Sequence, residues 1–205
     1  MKNFIFYFAF TLIAFSAYAQ VKPDEVKFLE SLLRKTLPEG EIVYTNKINE
    51  SQLQRVEAHI KPGVIQGAGT ETKRNSISLS RKEKKYILSQ LEIYTKPFWG
   101  DNLFAKSKMI PEDSIASYMK KVYQEYSESF INPNNSDNDK AEIMKNYPRP
   151  NLFEFSRPIY LRNNSICLVL ISYRCGNPCG FDELCFYKKV NDVWTKFVVV
   201  YSVDY

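Results

Sequence analysis

The sequence contains a single histidine, His59, among its 205 residues. Metal sites that use several histidines are therefore excluded, and any Ser-His-Asp or Cys-His catalytic site would have to include this one residue. His59 falls late in a predicted helix, where the helix dipole favours an exposed histidine. We therefore predict no catalytic residue, no metal ligand and no cofactor-binding residue.

Nucleotide-binding glycine motifs are missing as well. Gly63, Gly67 and Gly69 lie close together, but the sequence has neither a Gly-Lys-Ser/Thr motif nor a Gly-x-Gly-x-x-Gly between a strand and a helix. We interpret residues 63–74 as a plain loop. The net charge of +5 is a mild excess spread along the chain, and it does not indicate a nucleic-acid partner.

Long apolar runs are lacking except for Phe4–Phe15, which only Thr11 interrupts. Lys2 precedes this run and Ala17-Tyr18-Ala19 follows it, as in a secretory signal peptide with its cleavage site. About a dozen apolar residues are too few to cross a bilayer as a helix. We therefore predict a signal peptide over 1–19 and a soluble mature chain, periplasmic or extracellular, with no membrane span after the signal is removed.

Cysteines are few, and all of them lie in one stretch. The four are Cys167, Cys175, Cys179 and Cys185. In an exported protein such residues favour disulfides over metal ligation. The stretch 165–189 reads as two strands joined by a turn near Asn177, which predicts a disulfide between Cys175 and Cys179 across the turn.

The outer two cysteines leave alternatives open. Cys167 and Cys185 are a candidate second disulfide between the two strands. A turn centred near Asn177, however, places Cys167 opposite Tyr187, so this pair needs a shift of register, and free thiols are the alternative. A redox role for Cys175 and Cys179 is disfavoured because reactive pairs usually have two residues between them and lie at a helix N-terminus, whereas three residues separate this pair in a predicted turn.

Helical and extended patterns are segregated along the chain, which indicates an α+β fold. We predict one domain over 20–205, in which helices of a part over 20–147 pack on one face of an antiparallel meander of about four strands over 151–204. Ser80 and Glu83 form a predicted capping box. Helices are expected at 23–36, 51–60, 81–94 and 111–126, with a polar break at 132–139 and a short helix through Ala141, Met144 and Tyr147.

Aromatic residues make up 15% of the chain. Exposed aromatic rings are common binding platforms because they lose little entropy when they are covered. Phe98, Trp99 and Trp194 are the candidate binding surface, and the alternative is that they fill the core.

Four segments of the chain resemble a group of small secreted proteins of Gram-negative bacteria that has no assigned activity. They are Trp99-Gly100-Asp101-Asn102-Leu103-Phe104, Phe155-Ser156-Arg157-Pro158-Ile159-Tyr160, Cys175-Gly176-x-x-Cys179-Gly180 and Tyr187-Lys188-Lys189 with Trp194. In that group the cysteines that match 175 and 179 are usually the only ones. The resemblance implies export and the hairpin, and it supplies no catalytic residue.

Taken together, these patterns predict an exported, non-enzymatic binding module whose partner is a protein or a glycan or other component of the cell envelope. The alternatives are an enzyme of unrecognised type, with a hydrolase as its class, and a thiol-disulfide protein.

Overall fold

The computed structural model describes residues 22–131, 151–176 and 179–205. The predicted signal peptide, the polar break at 132–139 and the short helix predicted through Ala141, Met144 and Tyr147 lie outside these residues.

The described residues form helices and strands in a mixed order. The helices are α1 (Pro23–Thr36), α2 (Glu50–Ile60), α3 (Arg81–Ile93) and α4 (Glu112–Ile131). The strands are β1 (Ile42–Thr45), β2 (Val64–Gln66), β3 (Ser76–Ser78), β4 (Ser107–Ile110), β5 (Leu152–Phe155), β6 (Ile159–Leu161), β7 (Ile166–Gly176), β8 (Cys179–Val190) and β9 (Val193–Asp204). The α+β class predicted from the sequence is confirmed.

The main sheet is larger than the predicted meander of about four strands. It has seven strands in the order β4-β1-β5-β7-β8-β9, with β6 also paired to β7, while β2 and β3 form a separate small sheet. β1 runs parallel to both β4 and β5, and the remaining pairs are antiparallel. The prediction of a simple antiparallel meander is therefore wrong. All four residues of β1 are buried. The strand therefore lacks the alternation of buried and exposed residues that would indicate its place in a sheet.

The helices cover both faces of the sheet, and the expectation that they pack on one face is also wrong. Alternate residues of a strand point to opposite faces. Cys167 and Val169 of β7 pack with Phe28 and Leu29 of α1, whereas Leu168 of the same strand packs in a second cluster that contains buried residues of α2 and α3. The buried sheet thus lies between α1 on one side and α2 and α3 on the other.

Side-chain caps fix the ends of two helices. The capping box predicted at α3 is confirmed, because Glu83 N donates to Ser80 Oγ at 3.2 Å and Ser80 N donates to Glu83 Oε2 at 2.8 Å. At α2 the cap is Asn49, whose Oδ1 accepts a hydrogen bond from Gln52 N at 3.0 Å. Since Asn49 also donates to Glu154 of β5, this cap holds the start of α2 against the sheet.

Candidate functional site

A group of polar side chains interrupts the apolar face of the sheet beneath α2. Glu154 of β5 pairs with Ser172 of β7, and Ser172 pairs with Asp182 of β8, so the three lie side by side across the sheet. Arg174 lies two residues beyond Ser172, on the same face. These residues stand at the end of the sheet near the β7–β8 turn.

Asp182 is the centre of this group, and it is only 1% exposed. Its Oδ1 accepts hydrogen bonds from Ser172 Oγ at 2.5 Å, Arg174 Nη1 at 2.9 Å and Gln52 Nε2 at 3.1 Å. Its Oδ2 accepts from Arg55 Nη1 at 3.0 Å and from the hydroxyl of Tyr205. We call these residues the Asp182 cluster: Gln52, Arg55, Ser172, Arg174, Asp182 and Tyr205.

The fold brings the cluster together from α2, β7, β8 and the residue after β9. Gln52 and Arg55 are three positions apart on α2, so they share the helix face that meets the sheet. Gly180 has φ +143°, and a Cβ at that position would collide with the Tyr173 carbonyl oxygen. A glycine is therefore required just before Asp182 if β8 is to approach β7 this closely.

The hydrogen bonds set the charge of Asp182. Burial alone raises the pKa of this carboxyl, but hydrogen bonds from Ser172, Tyr205 and Arg174 outweigh it and hold the pKa below its ordinary value. Glu154 behaves in the opposite way, because burial raises its pKa despite the hydrogen bonds from Asn49. Asp182 is thus the carboxyl that is kept ionised.

Two buried atoms beside Asp182 have no hydrogen-bond partner in the described part of the chain: Gln52 Oε1 and the hydroxyl oxygen of Tyr201. Gln52 is 3% exposed and Tyr201 is 7% exposed. The Tyr201 ring lies 4.8 Å from the His59 ring and 5.8 Å from the Arg55 guanidinium. Such groups carry the cost of lost hydration, and a polar group placed next to them would offset that cost.

The outer side of the cluster reaches solvent. The side chains of Arg55 and Arg174 are 43% and 33% exposed, although both contact the buried Asp182. Tyr205 is 49% exposed, and its ring centre lies 4.8 Å from the Arg174 guanidinium. His59 is exposed one helical turn after Arg55. We call Arg55, His59, Arg174 and Tyr205 the arginine face.

Of the three aromatic residues predicted to form a binding surface, Trp99 lies in the core, and Phe98 and Trp194 are half-buried. Trp99 is 3% exposed, its Nε1 donates to Phe155 O at 2.9 Å, and its ring lies 5.2 Å from the Phe155 ring. The prediction of a binding surface centred on Trp99 is therefore wrong, because neither face of its indole is accessible. Phe98 is half-buried against Tyr94, and Trp194 is half-buried against Phe28.

The cysteines occupy the predicted hairpin. Cys175 and Cys179 form a disulfide with a Cα–Cα distance of 5.1 Å, next to Arg174 and Gly180. Cys167 is paired with Tyr187, as the predicted turn centre required, and Cys185 is paired with Val169. Cys167 and Cys185 are accordingly diagonal neighbours, and both are buried free thiols.

Neither free thiol has the surroundings of a reactive cysteine. Burial raises the pKa of Cys185 to about 12 and raises the pKa of Cys167 as well. Reactive cysteines are partly exposed and have lowered pKa values. We interpret these two side chains as small apolar groups of the core.

A count of thiols tests this assignment of the cysteines. We expect two reactive thiols per chain when the unreduced protein is denatured, and none in the native protein, because Cys167 and Cys185 are buried. Titration with a thiol reagent before and after adding denaturant measures both numbers. Zero thiols in the denatured protein would show a second disulfide, and four would show that Cys175 and Cys179 are not joined.

His59 makes no catalytic pairing within the described residues. Its Nδ1 lies 2.9 Å from Arg55 O in the preceding turn of α2. A carbonyl oxygen only accepts hydrogen bonds, so Nδ1 carries the proton, and no nucleophile or carboxylate forms a hydrogen bond with the ring. In the same residues no group of three or more His, Cys, Asp or Glu side chains could hold a metal ion, and no helix is long and apolar enough to cross a bilayer.

Comparison with known proteins gives no relative from which a function can be transferred. No family model, no curated protein and no solved structure matches the chain. The functional assignment therefore depends on the Asp182 cluster and the arginine face.

Proposed function

We propose that the protein is an exported binding module without catalysis of its own, and that it binds a protein or a glycan or other component of the cell envelope through the arginine face. The observation that carries the proposal is that Arg55 and Arg174, both partly exposed, are fixed on the two oxygens of the buried Asp182.

Fixed arginines are effective binding groups. An arginine side chain loses much conformational entropy when a partner immobilises it, and a carboxylate that already holds it reduces that loss. Arginine and tyrosine are also the residues, together with tryptophan, that most often dominate the energy of an interface. Arg55, Arg174 and Tyr205 combine these properties at one place on the surface.

Export is part of the proposal. The apolar run before Ala17-Tyr18-Ala19 and the resemblance to small secreted proteins of Gram-negative bacteria support it. The disulfide between Cys175 and Cys179 is consistent with an oxidising compartment. In this proposal the disulfide closes the hairpin end that carries Arg174 and so helps to hold the arginine face in place.

A capture experiment with a matched arginine control tests the binding role. The purified protein is immobilised and exposed to solubilised cell envelope, and the retained components are compared among wild type, Arg55→Gln and Arg81→Gln. Arg81 is an exposed arginine on α3 and lies outside the cluster, so it controls for a general loss of positive charge.

We expect wild type and Arg81→Gln to retain the same component and Arg55→Gln to retain much less of it. Far-UV circular dichroism verifies that the three proteins are equally folded. Equal retention of a component by all three proteins would show that binding uses another surface. Retention by none would contradict the binding role.

A further inference from the structure

The two arginines of the cluster are held by opposite oxygens of one carboxylate. Arg174 and Arg55 each contact Asp182 through Nη1. Arg174 Nη1 also lies within reach of the Tyr173 and Phe181 carbonyl oxygens, whereas its Nη2 and Nε have no hydrogen-bond partner among the described residues. Arg55 Nη1 and the Tyr205 hydroxyl donate to the same oxygen, Asp182 Oδ2.

The charges of the cluster do not cancel. Two guanidinium groups meet one ionised carboxylate, and a net positive charge remains at a site whose base is buried. The other acidic group of the row, Glu154, is engaged by the backbone N–H and side-chain amide of Asn49 at 3.3 and 3.0 Å. Burial also raises the pKa of Glu154, while Arg174 acts on it in the opposite direction.

We infer that Arg55 and Arg174 form a binding site for an oxyanion, a carboxylate or a phosphate group, and that Asp182 is the positioning residue that holds the two guanidinium groups for it. This inference depends on the proposed function, because it specifies the ligand chemistry of the same face. Planar guanidinium groups bind carboxylate and phosphate oxygens through pairs of parallel N–H groups.

The position of Tyr205 indicates from which direction the oxyanion approaches. The centre of its ring lies 4.8 Å from the guanidinium carbon of Arg174. The hydrogen bonds of Arg174 in the described part of the chain are all made by Nη1, so its Nε and Nη2 groups can donate to a ligand. An oxyanion therefore binds at the Nε and Nη2 groups of Arg174, beside Tyr205.

A second observation at the same place also indicates a ligand. Gln52 Oε1 and the Tyr201 hydroxyl are almost fully buried next to Arg55, and neither has a partner among the described residues. Gln52 Oε1 can only accept a hydrogen bond, whereas the Tyr201 hydroxyl can also donate one. Each of these atoms would gain a hydrogen bond from a polar group placed beside it.

Titration of the full chain with small anions tests the inference. Inorganic phosphate and acetate are added separately at constant ionic strength, with chloride as the reference, and the arginine Nε–H signals are followed by NMR. We expect two of these signals to shift saturably with phosphate, acetate or both. Arg55→Lys keeps the charge but loses the paired N–H groups, and it should weaken binding about tenfold. Arg81→Gln should bind as wild type does.

The role of Asp182 has its own readout. In Asp182→Asn, measured at a temperature at which the variant is folded, the Arg55 and Arg174 Nε–H signals should lose their separate positions and binding should weaken. A variant that was merely less stable would keep both signals and the wild-type dissociation constant while folded. That result would overturn the positioning role.

The outcomes separate this inference from the proposed function. A response to phosphate alone or to acetate alone identifies the anion, and no shift of the Arg55 and Arg174 signals with either overturns the inference. If Arg55-dependent capture of an envelope component occurs without any anion response, the inference fails and the proposed function stands. If the anions bind and no envelope component is retained, the proposed function fails instead.

Discussion

Replacement of Asp182 by asparagine is expected to lower the free energy of unfolding by about 3 kcal/mol. The change preserves shape but removes the charge on which Arg55 and Arg174 depend, and it places an amide N–H₂ among groups that donate hydrogen bonds. Loss of one partner of a buried ion pair costs about 3–5 kcal/mol, and we take the lower end because both arginines are partly exposed. Urea denaturation of both proteins measures the difference.

The matched control for this variant is Asp192→Asn. Asp192 is exposed at the β8–β9 turn and pairs only with Lys189 among the described residues. Its φ of +62° suits asparagine, so this variant should differ from wild type by less than about 0.5 kcal/mol. Equal stabilities for Asp182→Asn and Asp192→Asn would show that the carboxylate of Asp182 does not hold the cluster together.

The stability difference should also depend on pH in a defined direction. The folded pKa of Asp182 lies below its ordinary value, so its contribution is complete above the unfolded pKa of about 3.9 and is lost as the pH falls through the folded pKa. Wild type and Asp182→Asn should therefore converge in stability in acid. Glu154 acts in the opposite sense, since its raised pKa adds stability that is lost as the pH rises through it. Only the difference between the two proteins isolates Asp182.

The hairpin could be predicted from the sequence, whereas the Asp182 cluster could not. A turn centred near Asn177, as the sequence predicts, implies that Cys167 lies opposite Tyr187, and β7 and β8 have that register. Alternation along β8 shows that Asp182 and Glu183 face opposite sides, but it does not show which side is covered by a helix. The partners Gln52 and Arg55 come from α2, about 130 residues earlier, and no local pattern connects them with Asp182.

The burial of Trp99 could not be predicted from the sequence for a related reason. The loop that carries it has neither helical nor strand periodicity, so the sequence gives no indication of which of its aromatic side chains point inward. The partner of Trp99 is Phe155 of β5, 56 residues away, and β5 in turn pairs with β1 in the sheet. The parallel β1–β5 pair was itself not foreseen.

Substitution of Trp99 by alanine is expected to destabilise the protein by about 3–5 kcal/mol. The change leaves a large cavity beside Phe155, because a buried indole is removed, and it also breaks the hydrogen bond from Nε1 to Phe155 O. Tyr86→Ala on α3 is the control, since Tyr86 is 44% exposed and its loss should cost less than about 0.5 kcal/mol. Urea denaturation compares the two variants. A loss below about 1 kcal/mol for Trp99→Ala would contradict its burial and make Trp99 available again as a binding residue.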